Sequence, residues 1–225
     1  MTDNPETNQI QTLKTIYHLY DRQMEKITAA CRKHCSACCT TNVTMTRLEG
    51  LLICASVSRE IIAAALPDPS NGLLPRFRPS LSTNGYAKLC GKEDGPHDDD
   101  DSREQPGSCP FLKDSVCTIY PARPFGCRCM MSTTMCNENG YAEIDDFILT
   151  VNTLFLQFIE HYDQGGFFGN MTDVLAYLID KDENPRIISS RIIANQPIPA
   201  LMVPPGHREN TTALVNALHK IITAV

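Results

Sequence analysis

Two cysteine-rich stretches, CRKHCSACC at residues 31–39 and CPFLKDSVCTIYPARPFGCRC at residues 109–129, contain most of the chain's 11 cysteines. With 225 residues, the chain can build a hydrophobic core without disulfide bonds. An odd number of cysteines cannot all pair within one chain, and closely spaced thiols in a reducing compartment are more often metal ligands or catalytic groups. The two stretches therefore predict a metal centre or thiol chemistry.

The composition is typical of a globular protein, with 42% hydrophobic and 20% charged residues. The first residues, MTDNPETNQIQTLK, have neither the basic nor the apolar segment of a secretory signal, and no apolar run is long enough for a membrane span. A net charge of −6 and a pI near 5.5 argue against a nucleic-acid-binding surface. We therefore expect a cytoplasmic protein that binds neither membranes nor nucleic acids.

Apolar periodicity predicts a mainly α fold, a single small helical domain with an irregular, metal-stapled cysteine-rich region. Residues 1–30 form its first part, an amphipathic helix over residues 8–30 that runs directly into Cys31. A short β-prone segment at residues 42–45 precedes a capping box of Thr46 and Glu49, which predicts a helix to about Ala65. The stripe of the first helix consists of Ile10, Leu13, Tyr17, Tyr20, Met24 and Ile27.

Residues 137–225 form a helical C-terminal part that we expect to pack on the rest of the domain. Helices are predicted over residues 144–162, over residues 172–180 with Thr172 as N-cap, and over residues 211–223. Gly165 and Gly166 mark a break after the first of these helices.

The intervening residues 31–136 form the predicted cysteine-cluster domain, and they include a segment without periodicity at about residues 67–107. This segment ends in the acidic sequence GKEDGPHDDDDSREQPG, which has almost nothing to bury, and we interpret it as an exposed loop. The run at residues 97–101 lacks the ligand spacing of an EF-hand loop and is interpreted as a solvated charge run. Cys54, within an apolar helix, is expected to be a core residue, and Cys90 a free thiol.

The spacing within the first stretch suits metal binding. Cys35 and Cys38 have the Cys-x2-Cys spacing that supplies two zinc ligands from one turn, and a continued helix would place Cys31 and Cys39 on the same face as Cys35. Adjacent Cys38 and Cys39 converge poorly on a single small ion, so two metals or a multinuclear cluster would use them more easily. His34, within the same stretch, is interpreted as a surface residue.

The order of motifs resembles the YkgJ-type cysteine-cluster family, which is described as zinc- or iron-chelating. The resemblance covers residues 31–136 and lies in Cys-x3-Cys-x2-Cys-Cys from residue 31, CPFL from residue 109 and CTIY-x2-RP-x2-CR from residue 117. It implies a bacterial protein with a zinc or iron–sulfur centre held by eight thiolates. The implied ligands are Cys31, Cys35, Cys38, Cys39, Cys109, Cys117, Cys127 and an eighth, for which we favour Cys136 over Cys129.

The biochemical role is undefined at this level, and the sequence leaves open whether the protein is an enzyme or binds a protein partner. A flagellin lysine methylase has a similar cysteine pattern, but this chain lacks the Gly-rich strand-to-helix turn of Rossmann-like methyltransferases. A thiol or redox enzyme is the other alternative, in which Cys38–Cys39 or Cys127-x-Cys129 would exchange disulfides. Around a metal centre, Arg123, Arg128 and Lys33 would offset thiolate charge.

Overall fold

The computed structural model of the chain describes residues 4–66, 76–91, 106–180 and 191–224. Helices dominate these residues, so the expected mainly α fold is confirmed. None of the helices in the described ranges has both the length and the apolar character needed to cross a membrane. The helices are α1 (Pro5–Met24), α2 (Arg47–Ser56), α3 (Arg59–Ala65), α4 (Thr83–Cys90), α5 (Phe125–Arg128), α6 (Cys136–Asn139), α7 (Asp146–Tyr162), α8 (Met171–Asp180) and α9 (Arg208–Thr223).

Helix α1 is capped at its start by Asn4, whose side chain accepts a hydrogen bond from the Glu6 amide at 3.1 Å. It ends at Met24, so the predicted extension to Ala30 is wrong. The Ala30 amide instead donates to the Ser132 carbonyl at 2.8 Å, which draws this part of the chain towards the second cysteine stretch. The helical face that Cys31 would have shared with Cys35 is therefore not formed.

The capping box before α2 is confirmed. The Thr46 side chain accepts the Glu49 amide, and the Glu49 carboxylate accepts the Thr46 amide at 2.8 Å. The single helix expected to Ala65 is instead divided into α2 and α3, because Val57 adopts an extended backbone conformation between them. Cys54 is half-buried in α2 and packs against the core, as expected.

A three-stranded antiparallel sheet, which periodicity did not predict, joins β1 (Thr44–Thr46), β4 (Phe167–Asn170) and β5 (Ile192–Ala194) in the order β1-β4-β5. Only the β-prone segment at residues 42–45 anticipated one of these strands. A second, two-stranded ladder pairs β2 (Leu112–Lys113) with β3 (Val116–Cys117). In the described part of the chain, 3-10 turns occur at Tyr120–Ala122 and Pro205–His207.

Asn170, at the end of β4, connects the sheet to α8. Its side-chain oxygen accepts the Thr172 amide at 3.1 Å and the Thr172 hydroxyl at 2.9 Å. Asn170 therefore caps α8, and the prediction that Thr172 does so is wrong. The other two C-terminal helices begin close to their predicted positions, at Asp146 and Arg208.

The core is centred on α1, α2 and α7, and three packed aromatic rings connect it to the second cysteine stretch. Tyr20 of α1 meets Phe125 of α5 and Phe155 of α7 edge-on, with ring centroids 4.7 and 5.0 Å apart. Phe125 and Phe155 are stacked at 5.5 Å. All three side chains are almost completely buried, so α5 is part of the core although it lies between cysteines.

The exposed loop expected at residues 67–107 is wrong for residues 76–91, which contain α4. Ser82 caps this helix by accepting the Gly85 amide at 3.1 Å. Asn84 is fully buried, and its side-chain amide donates to the carbonyls of Gln157 and Gln196. Polar side chains thus hold α4 against the domain, which a search for apolar periodicity does not detect. The acidic run at residues 97–101 lies outside the described residues, and Cys90 is exposed at the end of α4.

Candidate metal centre

Backbone hydrogen bonds bring the two cysteine stretches side by side. At one end, the Cys109 amide donates to the Cys39 carbonyl at 3.0 Å, and the Thr41 amide donates to the Gly107 carbonyl at 2.9 Å. Thr40 and Ser108 form an isolated antiparallel bridge between these bonds. The last cysteine of the first stretch is therefore adjacent to the first cysteine of the second.

The opposite ends of the two stretches also meet. The Ser132 amide donates to the Cys31 sulfur at 3.4 Å, and the Cys31 sulfur lies 4.0 Å from the Met130 carbonyl oxygen. Together with the bond from Ala30 to Ser132, these contacts fix the start of the first stretch beside the residues that follow the second. The two stretches consequently run antiparallel.

Within the first stretch, two consecutive turns replace the predicted helix. The Cys35 amide donates to the Arg32 carbonyl and the Cys39 amide to the Ser36 carbonyl, each at 2.9 Å. His34 is exposed and has a left-handed backbone with φ of 69°. Its position agrees with a surface residue in a turn.

A hairpin in the second stretch returns Cys117 towards Cys109. Leu112 and Cys117 are paired across the ladder of β2 and β3, and Asp114 and Ser115 take the positive φ angles of a tight two-residue turn. The Leu112 amide also donates to the Cys109 carbonyl at 3.0 Å. Local backbone structure therefore brings Cys109 and Cys117, which are eight positions apart in the sequence, towards each other.

The thiols influence one another's protonation, which identifies those that lie close together. Burial, and then the Cys39 and Cys31 thiols, raise the pKa of Cys38 to about 11. Burial, followed by Cys109 and Cys117, raises the pKa of Cys39. These interactions connect thiols of both stretches, and Cys35 adds to the same effect on Cys38 and Cys39.

Cys127, on α5, lies among the thiols of both stretches. Its pKa is raised strongly, first by burial and then by Cys109, Cys117, Cys39 and Cys38. The seven cysteines that the family resemblance maps without ambiguity are thereby brought to one part of the molecule, and all of them are free thiols.

Cys109 has two amide donors directed at its sulfur. Burial raises its pKa, whereas hydrogen bonds from the Phe111 and Leu112 amides lower it, and the Cys117 thiol raises it again. Amide groups directed at a sulfur favour its thiolate form.

The eighth position remains divided between two cysteines. Cys129 is buried, its sulfur lies 3.5 Å from the Gly126 carbonyl oxygen, and its pKa is raised to about 12, chiefly by burial. The Cys38 thiol contributes weakly to that shift. Cys136 is half-buried in the first position of α6.

Of the three cations expected near the centre, Arg128 is already paired and Lys33 is exposed. Arg128 forms an ion pair with Asp21 at 3.0 Å and lies 4.4 Å above the Tyr17 ring. Arg123 lies 3.9 Å above the Tyr120 ring, and its buried Nε has no hydrogen-bond partner among the described residues. Burial has the largest effect on the pKa of Cys129 and raises it. The positive charge of Arg123 has a smaller effect and lowers that pKa.

Glu49 connects the site to the neighbouring helices by hydrogen bonds, a role that the capping-box motif did not predict. Its Oε1 accepts the Phe125 amide at 2.7 Å and the Tyr17 hydroxyl at 2.9 Å, while Oε2 accepts Thr46. One buried carboxylate thus joins α1, α2 and the start of α5. No spacing rule in the sequence connects Glu49 to Phe125.

In the described ranges, no three His, Cys, Asp or Glu side chains are already arranged to hold a metal ion. The thiols are gathered, but they do not form a coordination shell as they stand. Comparison of the chain with protein-family models, with curated proteins and with solved structures finds no match. The family resemblance therefore rests on the cysteine motifs alone.

Proposed function

We propose that this protein binds a metal in the cytosol, holding zinc or an iron–sulfur centre through thiolates of the two cysteine stretches. The observation that carries the proposal is the convergence of seven free thiols from sequence segments far apart in the chain. The proposed ligands are Cys31, Cys35, Cys38, Cys39, Cys109, Cys117, Cys127 and either Cys136 or Cys129.

Metal binding would change the protonation of these thiols. Burial and neighbouring thiols raise the pKa values of Cys38 and Cys127, so these groups stay protonated at neutral pH when no cation is bound. A bound metal ion reverses this preference because it displaces the protons and neutralises the thiolate charges. Binding should also draw the sulfurs to ~2.3 Å from zinc, a convergence that the free thiols have not made.

The donors around the sulfurs give further support. The Phe111 and Leu112 amides directed at Cys109 would hydrogen-bond a metal-bound thiolate more strongly than a neutral thiol. The unpaired Nε of Arg123 is a further buried donor near Cys129. Such outer donors orient and stabilise thiolate ligands.

A disulfide-exchange enzyme is less well supported. An attacking thiol of this kind needs a lowered pKa, commonly from a nearby cation or helix N-terminus. Burial raises the pKa values of Cys38, Cys39, Cys127 and Cys129 instead. The cysteine pairs proposed for exchange are therefore poor nucleophiles without a further activating group.

The test is elemental analysis and visible absorption of protein purified without oxygen. We expect either about two zinc ions per chain without colour, or iron and sulfide with thiolate-to-iron absorption. The substitutions Cys35→Ser and Cys117→Ser should each lower the metal content. Cys54→Ser and Cys90→Ser are matched controls outside the cluster and should retain it.

Protein purified in this way without stoichiometric metal, and unable to take up zinc or iron on reconstitution, would overturn the proposal. Equal metal loss in the cluster variants and the controls would contradict the ligand assignment. Circular dichroism of each variant separates loss of ligands from general unfolding.

A further inference from the structure

Three arginines converge on one aspartate, and all four residues lie outside the two cysteine stretches. Arg76 binds Asp173 through two nitrogens, Nη2 at 2.6 Å and Nε at 3.2 Å. Arg78 Nε lies 3.3 Å from the same carboxylate, and Arg191 Nη1 lies 3.6 Å from it. We call Arg76, Arg78, Arg191 and Asp173 the arginine cluster.

The charge of this cluster is unbalanced. Asp173 supplies one negative charge against three guanidinium groups, which are always ionised. The side chains of Arg76 and Asp173 are only 3% and 2% exposed, so water screens their part of the cluster poorly. Arg76 Nη1 is buried and has no hydrogen-bond partner among the described residues. Among the described residues, the cluster therefore has a surplus of two positive charges and an unused buried donor, which together favour a second anion.

The backbone between the first two arginines is firmly held. The Phe77 amide donates to the Asn42 side chain at 2.8 Å, and the Phe77 carbonyl accepts from the Asn170 side chain at 2.9 Å. Asp173 lies in the first turn of α8, where the helix N-terminus adds positive potential. The backbone that carries Arg76 and Arg78 is therefore fixed, and such preorganisation favours binding.

We propose that the arginine cluster binds a phosphate dianion, free or as the phosphate group of a small molecule. A dianion balances the surplus charge, and guanidinium groups match the oxygens of phosphate in paired hydrogen bonds. Arg78 and Arg191 are 35% and 25% exposed, so a ligand from solvent can reach them. The site shares no residue with the cysteine stretches and does not depend on the proposed metal centre.

Binding is measured by isothermal titration calorimetry at pH 8, where phosphate is mostly dianionic. The probes are inorganic phosphate and phenyl phosphate, with sodium chloride at matched ionic strength as reference. We expect saturable binding, and Arg78→Gln and Arg191→Gln should each weaken it by about tenfold. Arg22→Gln, at an exposed position of α1, is the matched control and should leave binding unchanged.

Tighter binding of inorganic phosphate would assign the site to the free ion, and tighter binding of phenyl phosphate to a phosphorylated small molecule. Binding of neither probe beyond the chloride reference would overturn the proposal and identify the arginine cluster as structural only. Phosphate binding that survives both cluster substitutions would overturn it as well. Metal content is measured on the same samples, so that a failure of phosphate binding can be distinguished from a failure of metal binding at the cysteine stretches.

Discussion

The helical body and the two cysteine stretches are stabilised in different ways. Helices α1, α2 and α7 bury apolar stripes and have side-chain caps at their starts. The stretches contain two-residue strands, short turns and the four-residue helix α5, and an isolated bridge joins the residues beside them. Apolar burial orders the helical body, whereas the stretches are joined to each other by a few backbone hydrogen bonds and to the core by side chains such as Phe125. One domain therefore contains a helical body that apolar burial stabilises and two cysteine stretches that we expect to need a metal.

Of the changes proposed here, metal removal should have the largest effect on amide protection, and it should affect the cysteine stretches and not the helical body. We expect chelation to release amide protection in the stretches, at Cys39, Cys109 and Leu112, because metal-binding free energy orders such segments. Amides within α1 and α7 should remain protected. Hydrogen exchange followed by mass spectrometry measures both regions in one experiment. Simultaneous loss of protection everywhere would show that the division between the two parts is wrong.

Phe125 connects the two parts, and its truncation should affect both. Phe125→Ala removes a fully buried ring from between Tyr20 and Phe155, and should lower the free energy of unfolding by about 3–5 kcal/mol. Because Phe125 begins α5, which contains Cys127, metal retention should fall as well. Leu154→Ala in α7, also fully buried, is the control that should destabilise the fold and keep the metal. Denaturant unfolding and metal analysis provide the two readouts.

Glu49 makes a smaller connection of the same kind. In Glu49→Gln, one carboxylate oxygen becomes an amide nitrogen that faces donors, either from Thr46 or from Phe125 and Tyr17. We expect a loss of about 3 kcal/mol in the free energy of unfolding, measured by denaturant titration. Glu25→Gln, on an exposed side chain, should change stability by much less. Similar stability of the two variants would exclude a supporting role for Glu49.

Asp163 tests the helical body alone and should give the smallest change. Burial raises its pKa to about 6 from an ordinary 3.8, although Arg47 opposes the shift. Between about pH 4 and pH 6, the native protein therefore binds a proton there that the unfolded chain has released. The contribution of Asp163 to stability is fully present below about pH 4 and is lost as the pH rises through 6.

Replacement by asparagine removes this titration. Relative to Asp163→Asn, the wild-type protein should lose about 2 kcal/mol of unfolding free energy between pH 4 and pH 7. Urea titrations of both proteins across that range measure the difference. A difference that stays constant with pH would contradict the raised pKa.

Local signals in the sequence predicted the parts of the fold that local interactions determine. The capping box at Thr46 and the apolar stripe of α1 were identified because their partners are three or four residues away. The strands other than β1 were missed because two to four residues are too few to show periodicity. Helix α4 was missed because Asn84 and Glu160 hold it by buried polar contacts across the fold.

The site divides in the same way. Cysteine spacing identified the thiols of each stretch, and the structure brings the seven unambiguous ones together. The contact from Cys39 to Cys109, the Glu49 bond to Phe125 and the convergence of Arg76 and Arg191 on Asp173 all join distant residues. Since one sequence contains no record of such pairs, neither the supporting carboxylate nor the arginine cluster was predicted.

The backbone pairing of residues 39–41 with residues 107–109 has a consequence for how such proteins vary. Because these hydrogen bonds fix both ends of the intervening sequence, its length does not determine the positions of the thiols. Closing a longer loop adds only about 0.6 kcal/mol for each doubling of its length. Insertions and deletions that leave β1 and helices α2, α3 and α4 intact should therefore be tolerated, and related proteins are best recognised by the motifs at either end rather than by the distance between them.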